Sequence, residues 1–328
     1  MGGHATDHGL DDLAATARAA LVRAIEASGA WDSAPVWRDA FESVPRHLFV
    51  PYYYAGTVSG YERRWGDDPA RGRRETWLRG AYADAPLATR MRDGELLSSS
   101  SQPSLMATML VALDVRDGDA VLEIGAGTGY NAALLAHRLG DALVTSVDLD
   151  PEITEAARRH LAAAGHRPTV VTGDGARGCP ERAPFDRIIA TCTLGSIPRA
   201  WLPQCRPGAR ILAPFATGIV VLRVRDAGHA EGRFLHTSAY FVPLRGGAPP
   251  GPEPSDRELD ALPRGAGRNE LFRFLLALTA GTLAVDEAYA IWEREERPQR
   301  ERYGITVDDG RAWAWLDDPG GPYTWPLP

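Results

Sequence analysis

The stretch Asp119–Asp150, DAVLEIGAGTGYNAALLAHRLGDALVTSVDLD, constrains the chain more than any other. Ala120–Ile124 is a short apolar run that ends in the glycine loop Gly125-Ala-Gly127-Thr-Gly129. An Ala/Leu-rich segment follows and stops at Gly140. A second apolar run, Leu143–Val147, then ends in Asp148. The order is strand, tight turn, helix, strand, which makes a βαβ unit. Glycines in the turn let the backbone pass close to a ligand at the N-terminus of a helix, where unpaired N–H groups point outward. An acid about twenty residues further on, at the tip of the second strand, is placed to accept hydrogen bonds from ribose hydroxyls. Asp148 is that acid.

The loop is not a nicotinamide fingerprint. That pattern needs a glycine at the sixth position, and the sixth residue counted from Gly125 is Tyr130. The spacing G-x-G-x-G, with Glu123 two residues ahead, resembles the first motif of class I S-adenosylmethionine (SAM) methyltransferases.

The rest of the chain reads as an α/β protein around this unit. Leu13, Ala17, Leu21 and Ile25 make a helical stripe in Asp11–Ser28. Val44–Pro51 reads as an extended, proline-bounded segment, and Tyr54–Arg79 as a polar, Arg-rich insertion or mobile surface loop. Pro103 suits the first turn of a helix, with Ser101 or Gln102 near its cap. The serines before it make either a flexible linker or a bed of hydroxyl donors beside the cofactor loop. After Asp148, Asp150-Pro151 starts a helix and Thr169–Thr172 is a strand, followed by Gly173-Asp174-Gly175. An acid between glycines at the C-terminal edge of a strand lies where ligands bind in such sheets. Arg187–Thr191 and Arg210–Phe215 are further strands flanking a short helix at Ile197–Gln204. Ile219–Arg225 and Phe234–Leu244 read as a closing β pair. The Gly/Pro-rich run 246–255 marks a boundary. Beyond it lie a helical region, Asn269–Glu293, and a hairpin around Asp308-Asp-Gly310. The Trp-rich end reads as a small satellite core. The expected segments are 1–80, helical with the insertion; 81–245, the SAM-binding domain; and 246–328, a C-terminal extension.

Composition narrows the function. A net charge of -7 weighs against nucleic acid as the main partner, and residues 191–194 lack an amino-methylating Asn-Pro-Pro-Tyr type motif. Every basic residue is arginine. Cys179, Cys192 and Cys205 match no metal spacing and suggest reduced thiols in a cytoplasmic protein. No membrane-length apolar stretch is present in the sequence.

With these pieces placed, the chain resembles the protein-L-isoaspartate O-methyltransferase family from Val44 to about Leu244. The family-like stretches are Val44–Pro51, Ala81–Thr89, Ser101-Gln-Pro103, Val121–Gly129, Gly173–Gly175, Ala183–Asp186 and Ile197–Pro214. The resemblance implies a Rossmann-like, mostly parallel seven-stranded sheet with an N-terminal helical segment and an extra C-terminal α+β region. It implies SAM as methyl donor, S-adenosyl-L-homocysteine as product, and a peptide or protein bearing Asp or isoaspartate as substrate. By position, Gly125, Gly127 and Gly129 would contact the methionine end of SAM, Asp148 the ribose and Asp174 the adenine amino group. Glu123, Leu149, Gly173 and Gly175 complete the cofactor set. Ser99, Ser100 and Ser101 form the substrate set, Ser101 matching the family serine near the substrate carboxylate. No membrane or metal is implied.

The serine run, the insertion and the long Trp-rich tail look like a subgroup that methylates an Asp in ribosomally made peptides, such as lanthipeptides and graspetides, to form an aspartimide. General isoaspartate repair is the alternative expectation. A non-catalytic peptide-binding protein on the same fold is the third.

Overall fold

A computed structural model describes residues 4–58, 60–92, 94–249 and 251–328. The backbone divides into two units, Met1–Asp119 with Ala126–Thr172, and Ala120–Gly125 with Gly173–Pro328.

In the first unit, helix α1 (His4–Ala27) buries Leu21, Val22 and Ile25, the end of the stripe seen in the sequence. Helix α2 (Val36–Ser43) buries Trp37, Ala40 and Phe41. The segment 44–51 is not extended throughout. Pro45 is extended, but Arg46–Phe49 closes into a 3₁₀ turn that sends both Arg46 and Phe49 inward.

The expected surface loop is also ordered differently. Strands β1 (Tyr52–Thr57) and β2 (Gly60–Trp65) pair as a hairpin, helix α3 (Arg71–Ala81) follows, and β3 (Leu87–Arg92) and β4 (Glu95–Ser100) complete an antiparallel sheet in the order β2-β1-β3-β4. The sequence hid the hairpin because β2 is exposed along nearly its whole length. Such a strand needs no alternation of apolar and polar residues. Helix α4 (Pro103–Leu113) then buries Met106, Met109, Leu110 and Leu113.

Strand β5 (Val121–Ile124) belongs to the second unit. The first unit continues with α5 (Tyr130–Leu139), β6 (Val144–Asp148), α6 (Pro151–Ala163) and β7 (Thr169–Thr172), with β6 and β7 parallel. Asp150 caps α6 by accepting from the N–H groups of Glu152 and Ile153, as the Asp-Pro pair predicts.

The second unit adds β8 (Phe185–Ala190), β9 (Cys205–Phe215), β10 (Gly218–Val224) and β11 (His229–Ser238). The helix expected over 197–204 shrinks to a 3₁₀ turn at Leu202–Gln204, because Pro198 and Pro203 each remove a helical N–H donor. Helices α7 (Asp256–Asp260), α8 (Glu270–Leu278) and α9 (Val285–Arg294) precede β12 (Tyr303–Asp308), β13 (Arg311–Leu316) and β14 (Thr324–Leu327).

These last strands are no satellite. The unit's strand order is β14-β13-β12-β11-β10-β9-β8-β5, so the tail extends the main sheet beyond its antiparallel edge. A glycine keeps the join tight: a Cβ on Gly304 of β12 would lie 2.5 Å from the Gly232 carbonyl of β11 and would collide with the Trp315 ring. Phe274 of α8 covers this part of the sheet, edge-on to Phe234 at 4.9 Å and to Tyr303 at 5.3 Å. Among the described residues, no helix is long and apolar enough to cross a membrane.

Candidate active site

The glycine loop has the backbone its sequence demands. Gly125, Gly127 and Gly129 have φ of 98, 50 and 87°, the left-handed region that side chains disfavour. Space is short as well: a Cβ on Gly125 would lie 2.7 Å from Oγ1 of Thr191. Two bonds anchor the loop to β6. The Ala126 N–H donates to the Val147 carbonyl (3.2 Å), and the Gly127 N–H donates to Oδ2 of Asp148 (3.2 Å). Oδ1 of Asp148 accepts from the Asp150 N–H at 3.2 Å. The acid at the strand tip thus shapes the loop it follows by about twenty residues. Leu149 beside it is 42% exposed, an apolar surface open to a planar ring.

His160 of α6 supports the loop from below. Its Nδ1 lies 3.0 Å from the Thr128 carbonyl, and burial lowers its pKa, so the neutral ring donates Nδ1–H there.

The serine run is the end of β4, not a linker. Ser98 and Ser100 are buried while Ser99 and Ser101 are half-exposed, the alternation of an extended chain. The run reaches the loop: a Cβ on Gly127 would sit 3.6 Å from the Ser99 carbonyl and 3.7 Å from Oγ of Ser98. The three substrate-set serines therefore differ. The Ser101 and Ser99 hydroxyls have no partner among the described residues. Ser100 departs from the expectation that it faces substrate. It is 2% exposed, and its Oγ accepts from Nη2 of Arg46 at 3.4 Å. Ser98, left out of the set, accepts from Oγ1 of Thr89 at 3.3 Å.

Arg46 is the residue that the sequence reading missed. It is fully buried, and its guanidinium donates to the carbonyls of Ala81 (3.1 Å), Ala83 (2.8 Å), Ala85 (3.1 Å) and Ser101 (3.1 Å). One side chain thus ties the 3₁₀ turn, residues 81–85 and the serine run together. Burial pulls its pKa down to about 10, so it stays charged at neutral pH. An arginine between Pro45 and the apolar Leu48-Phe-Val50 was the available signal. Nearby, Asp84 accepts from the Ser104 N–H (2.8 Å) and from Nε2 of Gln102 (3.3 Å). The cap of α4 therefore comes from Asp84, while Gln102 only occupies the cap position.

The other cofactor candidates lie in the second unit. Glu123 is fully buried on β5. Thr191 donates its hydroxyl to the Gly125 carbonyl at 2.7 Å, fixing the first loop glycine. Asp174 accepts from the Ala176 N–H at 2.9 Å, and a Cβ on Gly246 would stand 2.9 Å from its Oδ1. Gly173 precedes this cap. Gly175 is pinned by the Trp201 indole N–H, which donates to its carbonyl at 2.9 Å, and a Cβ there would meet Ile124.

A left-handed glycine loop, an acid bonded to it at a strand tip, and an open apolar neighbour suit a nucleoside-bearing cofactor. The sequence profile described as protein-L-isoaspartate(D-aspartate) O-methyltransferase matches residues 73–248. The chain belongs to the protein-L-isoaspartate O-methyltransferase family. Protein-L-isoaspartate O-methyltransferase 1 of Archaeoglobus fulgidus is 34% identical over 210 residues, covering 63% of this chain and 84% of the relative. Protein-L-isoaspartate O-methyltransferase of Methylorubrum extorquens is 36% identical over 212 residues, 63% of this chain and 80% of the relative.

Solved structures show the fold of this methyltransferase family. One named protein-L-isoaspartate O-methyltransferase superposes at a TM-score of 0.62 with 21% identity, over 94% of this chain and 98% of its own. Another, from Plasmodium falciparum and in complex with S-adenosyl-L-homocysteine, gives 0.51 at 13% identity, over 69% and 97%. Protein-L-isoaspartate O-methyltransferases are SAM-dependent enzymes of class I fold. A superposition over 94% of the chain must take in most residues after 245, so the C-terminal strands do not set this protein apart from others in the family.

Proposed function

We propose that this protein methylates the free carboxylate of isoaspartyl residues in proteins and peptides. The observation that carries the reading is the packing of Ser98–Ser99 against Gly127, whose N–H is held by Asp148. The cofactor loop and the serine run are neighbours, and the half-exposed Ser101 hydroxyl is available to a carboxylate.

When bound, SAM supplies an electrophilic methyl group on a sulfonium. Gly127, Gly129, Asp148 and Leu149 of the first unit would hold it. The substrate carboxylate is already ionised at neutral pH, so the transfer needs no general base. The chain's own work is to orient that oxygen in line with the methyl carbon and to exclude water. A serine hydroxyl suits this task because it donates one hydrogen bond without forming an ion pair that would draw off the nucleophile's charge. Transfer would turn the carboxylate into a neutral methyl ester, with S-adenosyl-L-homocysteine as the other product. The following backbone nitrogen can then displace methanol and close a succinimide.

The subgroup reading, in which an ordinary Asp of a ribosomally made peptide is the acceptor, loses the support of the long tail, which a family structure also covers. Mass spectrometry separates the two. An isoaspartyl peptide incubated with SAM should gain one methyl group while its Asp isomer does not. Methylation of the Asp isomer alone, or of neither despite SAM binding, would overturn the proposal.

A further inference from the structure

The antiparallel sheet of the first unit has a face that methyl transfer leaves unexplained. Register sets Arg63 opposite Tyr54, Tyr54 opposite Ala88, and Ala88 opposite Ser99, so one transverse row crosses β2-β1-β3-β4 from Arg63 to the serine run. A cavity of about 560 Å³ is lined by Tyr52, Tyr54, Arg63, Ser98, Gly127 and Thr128 among others. One hollow therefore touches both the glycine loop and the hairpin.

Arg63 is held at the hairpin end without being neutralised. Its guanidinium carbon lies 4.9, 5.5 and 5.7 Å from the ring centres of Tyr54, Tyr52 and Trp65, and its Nε donates to the Tyr54 hydroxyl at 2.8 Å. No carboxylate of the described residues pairs with it. The other arginines of the cavity are satisfied. Arg90 pairs with Asp150 (3.5 Å) and Glu152 (2.5 Å), and Arg159 with Glu155 (3.3 Å). Those pairs also occupy Glu152 and Glu155, the acids that line the cavity. Aromatic rings fix a guanidinium while leaving its terminal N–H groups able to bind a carboxylate in bidentate fashion.

We propose that Arg63 binds a second carboxylate of the peptide substrate, about four to five residues from the one that is methylated. The spacing follows from the sheet. Three inter-strand steps of about 4.8 Å separate Arg63 from the serine run, about 14 Å in all. An extended peptide advances about 3.3 Å per residue, so about four to five residues span the row. The inference rests on the isoaspartyl reading, because it places the methyl acceptor at the serine end of the row. It makes the preferred substrates acidic peptides.

The test uses isoaspartyl peptides of equal length in which a single Glu, or Gln as its control, is moved from two to six positions away on either side. For the wild-type protein at low salt, the KM should be lowest with Glu four or five positions away, roughly twofold to fivefold below the Gln control. Arg63→Gln should remove that minimum, and Arg63→Glu should turn the preference toward a Lys at the same place, with SAM affinity at its wild-type value throughout. A flat KM profile, or a Glu preference that survives Arg63→Glu, overturns the inference and leaves the methyltransferase reading standing. If no isoaspartyl peptide is methylated while SAM still binds, both fall.

Discussion

Arg46 offers the sharpest test of how the substrate side of the site is held. Its guanidinium makes four hydrogen bonds of 3.1 Å or less, to the carbonyls of Ala81, Ala83, Ala85 and Ser101, and two longer contacts to Ser100. At a net worth of about 1–1.5 kcal/mol each, the four short bonds amount to about 4–6 kcal/mol. Truncation to Met returns part of the guanidinium's desolvation penalty but strands the buried carbonyls. The net loss should be about 3–5 kcal/mol, the range for one-sided removal of a buried charged partner. That is a large share of the about 5–15 kcal/mol that holds a domain together. Arg46→Lys keeps the charge but replaces a planar fork with a compact ammonium, so it should lose less, about 1–3 kcal/mol. Urea denaturation followed by circular dichroism gives both values. With Ser101 released, Arg46→Lys should also lose turnover on an isoaspartyl peptide more than it loses SAM affinity. An Arg46→Met protein within about 1 kcal/mol of wild type, or an Arg46→Lys protein with unchanged turnover, would refute the role assigned to this residue.

Other substitutions separate the remaining roles. Asp148→Ala removes the acceptor of the Gly127 N–H as well as the expected ribose contact, so calorimetry should show SAM binding weakened by about 1–3 kcal/mol; an unchanged affinity would exclude Asp148 from the cofactor site. Ser101→Ala should cut kcat roughly tenfold with SAM affinity intact, a loss of about 1.4 kcal/mol in the transition state. Ser100→Ala, which loses only a long bond to Arg46, should leave kcat within about twofold of wild type; equal effects of the two would undo the distinction between them. Acid should destabilise the fold through His47 and His160, both of whose pKa values burial lowers below the ordinary 6.5. In the window between those lowered values and 6.5 the unfolded chain binds more protons, so stability is complete above the unfolded pKa and is lost as pH falls through the window. The exposed His229, raised chiefly by its hydrogen bond to Asp226, acts in the opposite sense and is weakened by solvent screening. Urea midpoints from pH 7.5 to 5.5 should fall in wild type and flatten in a His47→Gln, His160→Gln double variant; an equal slope in both would remove these residues as the cause.

The parts that could be read in advance are those whose chemistry is local. Gly125, Gly127 and Gly129 announce positive φ because only glycine takes it freely. Asp150-Pro151 announces a helix start, and the apolar runs Ala120–Ile124 and Leu143–Val147 announce the strands Val121–Ile124 and Val144–Asp148, both buried along their length. Asp148 could be placed at the loop from its position at a strand tip. The hairpin of β1 and β2 was out of reach, since β2 is exposed along nearly its whole length and carries no alternation to detect. The tail was misread because its aromatic residues reveal that a surface is covered without revealing which one.

Tertiary structure alone decided the rest. Arg46 gathers carbonyls up to fifty-five positions away in the chain, and no local pattern records such distant partners. The same holds for Ser100, whose hydroxyl is engaged by a guanidinium more than fifty residues earlier, and for the row that joins Arg63 to Ser99 through strand register. Backbone conformation and cofactor chemistry are written in neighbouring residues. Which hydroxyl remains available, and which cation remains unneutralised, depends on what folding brings beside it.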